Sequence, residues 1–286
     1  MKEISMDFFR DEVRNGFFIP TAVKQAWAAQ LQVLDVIETI CRKHDITYFA
    51  DWGTILGTVR HGGYVPWDDD MDICMKREDY TRFKEAAKTE LPKDFRIHDY
   101  EHQEDHWLFL SRVANSVHIN FEPEHMKQFH NFPYIAGIDI FVLDYLYKDE
   151  QQEKQRCEEV KHIIAVADSI IAGEIAQPVK EANLIQLEEK YHKTFNRKLD
   201  NRHIGIELYR LAEEQMARVP KEESDRMAQI FPWGLLGNRG QDREYYEKFV
   251  RLPFENTTMP VPADYHRILS GKYHDYFKIH KVWSEI

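Results

Sequence analysis

Four aspartates fall within five positions, Asp68, Asp69, Asp70 and Asp72 of "YVPWDDDMDI", and they follow the stretch "DWGTILGTVRHGG". The alternation of Met71 to Met75 predicts a strand in which Met71 and Ile73 enter the core while Asp70 and Asp72 share the opposite face. Two carboxylates held side by side repel unless a cation or strong donors compensate. Hard oxygen ligands on a rigid face suit Mg²⁺ or Mn²⁺, which keep several waters and take substrate phosphates as further ligands. A solvated acidic loop is an equal reading for Asp68 and Asp69, but it leaves the apolar alternation around Asp70 and Asp72 without a reason. A calcium loop counted from Asp68 fails, because Ile73 stands where the turn glycine belongs and Asp79 where the bidentate glutamate belongs.

Upstream, Gly53 permits close backbone approach and Thr54 opens a predicted helix whose free N–H groups attract anions. Arg60 and His61 can add charge-assisted bonds to a phosphate. Downstream, Asp139 in "GIDIFVLD" sits between Ile138 and Ile140 in a strand that reads as buried. Such an acid needs a partner, and two readings are open: a third ligand to the metal, or an ion pair with a core arginine such as Arg112. Asp144, nearer the strand end, reads as a capping or pairing residue.

The elements that must position these groups follow from periodicity. Apolar residues from Val23 to Cys41 recur at helical spacing behind Pro20, predicting an amphipathic helix over 21–44. A short strand over 47–50, a turn at Gly53 and a helix over 54–59 come next, followed by the strand over 71–75 and a helix over 78–91. Further strands are expected at 95–98, 107–113, 117–121 and 138–142, which makes the first half a mixed sheet with helices packed on it. Residues 150 to 218 carry long helical periodicity broken near Gly173, Pro178 and Asn201, predicting three helices. The fold class expected is therefore α/β (α+β), with a catalytic core over 1–149, a helical insertion over 150–218 and a C-terminal segment over 219–286 that packs back on the core.

With 38 basic and 49 acidic residues in 286 the chain has a formal charge of −11, which disfavours nonspecific nucleic-acid binding. Cys41, Cys74 and Cys157 form no CxxC pair and read as reduced thiols. The N-terminal stretch lacks an apolar signal region, and no run reaches the roughly 18 apolar residues of a membrane span. A cytoplasmic protein is expected, working at the inner face of the membrane if its substrate is membrane-bound and meeting that substrate only peripherally.

These motifs closely resemble those of the LicD family, relatives of fukutin within the nucleotidyltransferase-fold superfamily. "GTILGTVRHGGYVPWDDDMDI" follows the family pattern GTLLGAVRH and GFIPWDDDIDI, "GIDIFVLD" follows GxxIDIFPLD, and "LPFENTTMPVPADYHRIL" resembles the C-terminal PFE and VP stretch. The likeness spans roughly residues 25 to 280. Thr58 replaces an alanine, Val142 a proline, and His274 a glycine of that pattern, and no candidate ligand is lost. The resemblance implies a nucleotidyltransferase-like mixed sheet, with Asp70, Asp72 and Asp139 as metal ligands and catalytic acids. It puts Gly53, Thr54, Arg60, His61 and Asp68 beside the donor nucleotide.

It further implies transfer of a phosphoryl-alcohol group, phosphocholine from CDP-choline first among the candidates, to a hydroxyl of a teichoic acid, lipooligosaccharide or other cell-surface glycan precursor. Related donors carry ribitol, ethanolamine or glycerol phosphate. Asp139 would take the acceptor proton in such a scheme. For a choline donor, Trp52, Trp107, Trp233 and Tyr245 are candidate walls for the quaternary ammonium, each also readable as ordinary packing. Two rivals stand beside this reading: a metal-dependent glycosyltransferase with an Asp-x-Asp pair, and a nucleotide-binding module without turnover.

Overall fold

The computed structural model describes residues 3–103, 105–229 and 240–279. The chain divides into two compact units, the first comprising Met1–Ile97, Leu110–Leu143 and Arg243–Ile286 and the second His98–Phe109 and Asp144–Asp242. The second unit therefore takes in more than the helical stretch after residue 150.

The first unit opens with a hairpin, β1 (Glu12–Arg14) and β2 (Phe17–Ile19), paired antiparallel. Asn15 and Gly16 turn it, both at positive φ (54° and 79°), as a two-residue hairpin turn demands. Helix α1 (Thr21–Lys43) follows behind Pro20, its first N–H groups met by the Asp11 carboxylate at 2.6 Å from Thr21 N. Trp27, Leu34 and Ile37 on its inner face are each at most 1% exposed. Arg42 and Lys43 lie in its last turn, where the helix dipole favours positive charge. The strand β3 (Phe49–Ala50) leads directly into α2 (Trp52–His61), which Asp51 caps through Trp52 N and Gly62 ends in the left-handed conformation at φ 66°. Then come β4 (Asp72–Lys76), α3 (Arg77–Glu90), β5 (Arg96–His98), β6 (Ser111–Ala114), α4 (Pro123–Gln128) and β7 (Gly137–Leu146).

The sheet order is β3-β4-β7-β6-β5. Its centre is a parallel pair, β4 beside β7, flanked by β3 antiparallel to β4 and β6 antiparallel to β7. This is the mixed sheet with helices that the periodicity predicts. Ile73, Val113, Ile138 and Ile140 are fully buried in it and join the α1 face in one apolar core.

The second unit holds α5 (Glu150–Ile171), α6 (Gln177–Tyr191) and α7 (Asn201–Met216), the three helices expected from the breaks near Gly173, Pro178 and Asn201. Asp149 and Asp200 cap α5 and α7 through the backbone N–H groups of Gln152 and His203, and Pro178 stands in the first turn of α6. Val160, Ile163, Ala167, Ile204, Leu208 and Ala212 make its core. The last residues of β7, Asp144 to Leu146, pair antiparallel with β8 (Arg226–Ala228), which pairs with β9 (Gln241–Asp242). The chain then returns to the first unit with the hairpin β10 (Phe249–Phe254) and β11 (Thr257–Pro262) and with α8 (Tyr265–Tyr273).

Two strand expectations fail. Residues 117–121 form no strand: Val117, Ile119 and Phe121 are 53%, 53% and 69% exposed. Ser116 Oγ takes His118 N at 3.1 Å and Asn120 Oδ1 takes Glu122 N at 2.9 Å, local bonds that compete with a ladder. The strand expected over 107–113 is confined to Ser111–Ala114.

Candidate active site

The candidate site is built on one row across the sheet. Asp72, first residue of β4, is the register partner of Asp139 on β7, and Asp139 is in turn the partner of Arg112 on β6. Register partners point to the same face with strands about 4.8 Å apart, so carboxylate, carboxylate and guanidinium lie side by side. Asp51 extends the row at the end of β3, its N–H bonded to Asp72 O at 3.0 Å.

Of the two readings of Asp139, the arginine pair is present. Arg112 grips it with a fork, Nε to Oδ1 at 2.5 Å and Nη2 to Oδ2 at 2.8 Å. Gly137 makes room for this: a β-carbon there would press on Arg112 Cδ. Asp139 is thus not a lone acid. Each of its oxygens still has a lone pair, since an ionised carboxylate has about four acceptor positions and the fork uses two. The pairing holds the Arg112 guanidinium above its ordinary pKa, hydrogen bonding to Asp139 being the first cause.

Asp72 stands in the opposite condition. Burial, then Asp70, Asp139, Asp51 and Asp68, push its carboxyl up to about 9. Asp68 is buried too, at 5% exposure, and is pushed up to about 8 by burial and by Asp70. It is therefore no solvated loop residue, whereas Asp69 and Asp70 are exposed. Because β4 starts at Asp72, Asp70 lies on the loop before the strand rather than in its alternation. One carboxylate oxygen each of Asp68, Asp69 and Asp70 can be grouped within 4.8 Å, a set with the spacing to take a cation that overlaps the expected trio only at Asp70.

The acidic loop is fixed from behind by α1. Trp27 donates its indole N–H to Asp68 O at 3.1 Å and Gln30 its amide to Asp69 O at 2.8 Å. The Tyr64 ring stacks on Trp27 at 4.6 Å and its hydroxyl reaches Gln30 Oε1 at 2.8 Å. Gly53 faces the same loop; a β-carbon there would overlap the Asp68 carboxylate, so its missing side chain admits an acid of the protein itself. Thr54 is buried, and its hydroxyl accepts Asp72 N at 2.8 Å, locking α2 to the start of β4.

Arg60 and His61 lie at the other end of α2, about 9 Å along the axis from Thr54 at 1.5 Å per residue. Arg60 donates to Tyr276 O at 3.0 Å and lies over the Trp67 ring at 5.9 Å. His61 is pushed down to about 4 by burial, Arg60 and Arg14, so near neutral pH it meets any ligand as an uncharged imidazole. The charge-assisted bond expected of it is replaced by a neutral one. Its Nε2 and Trp67 Nε1 are both buried with no hydrogen-bond partner among the described residues.

Asp51, Lys272, Trp27 and Gln30 escaped the sequence reading. Lys272 of α8 pairs with Asp51, with only 12% and 4% of the two side chains exposed, and its ammonium lies 4.3 Å from the Trp52 ring centre. An acid directly before a helix is a capping signal that would have found Asp51. Nothing local marks Lys272, whose partner lies 221 positions away. Of the aromatic wall candidates, Trp52 carries this ammonium, Tyr245 faces Arg267 at 5.6 Å, Trp107 is 58% exposed and Trp233 lies outside the described residues.

The donor set suits a hard divalent cation. Around Asp72 stand Asp51, Asp68, Asp70 and Asp139, and only Asp51 and Asp139 of these five carboxylates have an ion-paired lysine or arginine among the described residues. Asp68, Asp70 and Asp72 are left to a cation or to protons.

The mixed α+β sheet, with carboxylates gathered where its parallel strands begin and a capped helix behind them, agrees with the arrangement that the motif resemblance implies. Residues 45–165 match the sequence profile described as LicD/FKTN/FKRP, nucleotidyltransferase domain. The chain is 25% identical over 264 residues to the lipopolysaccharide cholinephosphotransferase LicD of Haemophilus influenzae, a match covering 87% of this chain and 89% of that protein. It is also 39% identical over 54 residues to an uncharacterized protein of Rickettsia typhi, 19% of this chain and 18% of that one. Among the described residues, no helix is long and apolar enough to cross a membrane.

Proposed function

We propose that this chain is a phosphotransferase that moves a phosphoryl-alcohol group, phosphocholine from CDP-choline first among the donors, onto a hydroxyl of a cell-surface glycan precursor. The observation that carries the reading is the half-buried Asp72, set in register beside Asp139 and near Asp68 and Asp70, with no lysine or arginine paired to it among the described residues. Similarity to a lipopolysaccharide cholinephosphotransferase over most of both chains supports the phosphocholine donor.

Asp70 and Asp72, with Asp139 through its remaining lone pairs, would hold Mg²⁺ or Mn²⁺. When bound, such an ion neutralises charge on the diphosphate oxygens of the donor. The protein's own part is positioning. Thr54 fixes the backbone of Asp72, Trp27 and Gln30 fix the loop that carries Asp68 to Asp70, and Arg112 orients Asp139. The Arg112 fork also adjusts the role of Asp139: with both oxygens held, it accepts an acceptor-hydroxyl proton only through its outward lone pairs. Arg60 and the neutral His61, at the far end of α2, suit the nucleotide side of the donor better than the transferring phosphorus.

The test is release of CMP from CDP-choline, CDP-ethanolamine, CDP-ribitol and CDP-glycerol, with and without Mg²⁺ and a glycan acceptor. Magnesium-dependent CMP release from at least one donor, abolished in Asp72→Asn, is expected. Turnover of UDP-sugars instead would assign the glycosyltransferase alternative, and binding of nucleotide without any turnover the inactive module.

A further inference from the structure

A concavity lies on the first unit, away from the acidic row in sequence and built from other side chains. It has a volume of about 390 Å³ and runs between α1 and the turn of the β10–β11 hairpin. That size suits a small ligand of one or two sugar rings, pockets for small molecules falling at roughly 300–1,000 Å³.

Its lining defines a ligand class. Asp35, Glu38, Arg42 and Arg251 contribute two charges of each sign, and Asn256, Thr257 and Thr258 add amide and hydroxyl groups. An anion would meet Asp35 and Glu38 and a cation would meet the two arginines, so the balance selects against a net charge of either sign. An apolar ligand would strand these polar walls. A neutral molecule bearing many hydroxyls, each able to donate and accept, satisfies both signs at once. Leu31 and Leu34 supply an apolar wall suited to the C–H face of a sugar ring. Part of the lining is already rigid: Arg251 donates to Glu38 Oε1 at 2.6 Å, Thr258 Oγ1 at 2.9 Å and Thr258 O at 2.8 Å. A group held by three bonds loses little freedom when it meets a ligand.

The position along α1 adds a second argument. Trp27, which holds the acidic loop, and Leu31, Leu34, Glu38 and Arg42, which line the pocket, recur at spacings of four, three, four and four and so share one face of the helix. At 1.5 Å per residue the pocket starts about 6 Å beyond Trp27 along the axis and ends about 22 Å beyond it. We infer that this pocket binds a neutral saccharide unit and serves as a distal subsite for the acceptor glycan; the second half of that statement rests on the phosphotransferase reading above, the first does not.

The experiment is saturation-transfer NMR on the full chain, without donor or metal, using glucose, galactose, N-acetylglucosamine and lactose as probes and glucose 6-phosphate as the charged control. At least one neutral saccharide should bind in the millimolar range or tighter, more strongly than the phosphate ester. Thr257→Trp, which fills the pocket, should weaken it by about tenfold or more at unchanged melting temperature. Arg42→Ala, at an exposed rim position, should weaken it in the same direction and serves if the tryptophan variant does not fold. No binding of any neutral probe at roughly 50 mM, or affinities in the folded variants within about twofold of the parent, overturns the subsite. Saccharide binding in the pocket without CMP release from any CDP-alcohol would sink the phosphotransferase reading and leave the pocket standing. CMP release with no saccharide at the pocket would do the reverse.

Discussion

Replacing Asp72 by Asn should make the metal-free protein more stable while removing its response to magnesium. The carboxyl is raised from an ordinary 3.8 to about 9 by burial and four neighbouring acids, so at pH 7 the folded state holds a proton that the unfolded chain has lost. The sign follows: between pH 3.8 and 9 the native state binds more protons, and stability falls as pH rises through that window. At 1.36 kcal/mol per unit, the 3.2 units from 3.8 to pH 7 amount to an upper bound of about 4 kcal/mol. Asparagine keeps the shape and removes the charge, so it should recover about 2–4 kcal/mol, at roughly 2–4 °C of Tm per kcal/mol in a chain of this size. Magnesium acts on the parent by mass action, contributing about 2.7 kcal/mol at a hundred times its Kd. The assay is thermal unfolding in EDTA and in Mg²⁺ from pH 5 to 8. Without metal, the parent should lose stability with rising pH and the variant should be flatter and higher; with Mg²⁺ the two curves should approach or cross. An Asn variant less stable than the parent in EDTA, or equal magnesium stabilisation of both, would refute the reasoning.

Removing Arg112 should act on the cation rather than on the fold. The guanidinium is 50% exposed, so Arg112→Ala should change unfolding free energy by about 1 kcal/mol or less, while calorimetric titration should show tighter Mg²⁺ binding because Asp139 is released. Lys272→Met takes the lysine from the buried Asp51 carboxylate and should cost about 3–5 kcal/mol in urea unfolding, with Asp51→Asn in the same chain recovering part of it. Trp27→Phe deletes one hydrogen bond to the acidic loop at an otherwise packed position; a cost of about 1–3 kcal/mol together with weaker Mg²⁺ affinity is expected, and unchanged affinity would show that the loop does not need this brace.

What was legible in the sequence was what local pattern encodes. Helix α1 and the strand at Asp72 follow from spacing of apolar residues, and the parallel pairing that sets Asp72 beside Asp139 was reachable because both strands carry an acid amid buried aliphatic residues. The Asn15–Gly16 hairpin carried the strongest short turn signal in the chain and was still passed over. The failure at 117–121 has a physical cause: alternation predicts a strand only when a partner edge is at hand, and Ser116 and Asn120 spend the backbone donors locally instead. Side-chain pairing at long range was out of reach. Arg112 could be named as one option for Asp139, but the choice between arginine and metal depends on a guanidinium rotamer and on the space over Gly137, neither of which periodicity records.

The charge arrangement explains why the two matched pairs and the three unmatched acids sit where they do. Lys272 and Arg112 neutralise the two ends of the row, Asp51 and Asp139, and leave the middle, Asp72 with Asp68 and Asp70 beside it, without a lysine or arginine partner among the described residues, to be neutralised by protons or by a cation. A site meant only for stability would have closed that middle as well, because buried like charges oppose folding. A site with no pairs at all would bind cations at many positions and orient none. With both flanks neutralised, the strongest potential is confined to Asp68, Asp70 and Asp72, and a divalent ion gains most there. Charge reversal at a flank therefore differs in kind from neutralisation at the centre. Arg112→Glu should broaden the site and admit a second equivalent of Mn²⁺ countable by electron paramagnetic resonance, whereas Asp72→Asn should admit none; one equivalent in both variants would show that the flanking pairs do not set the stoichiometry.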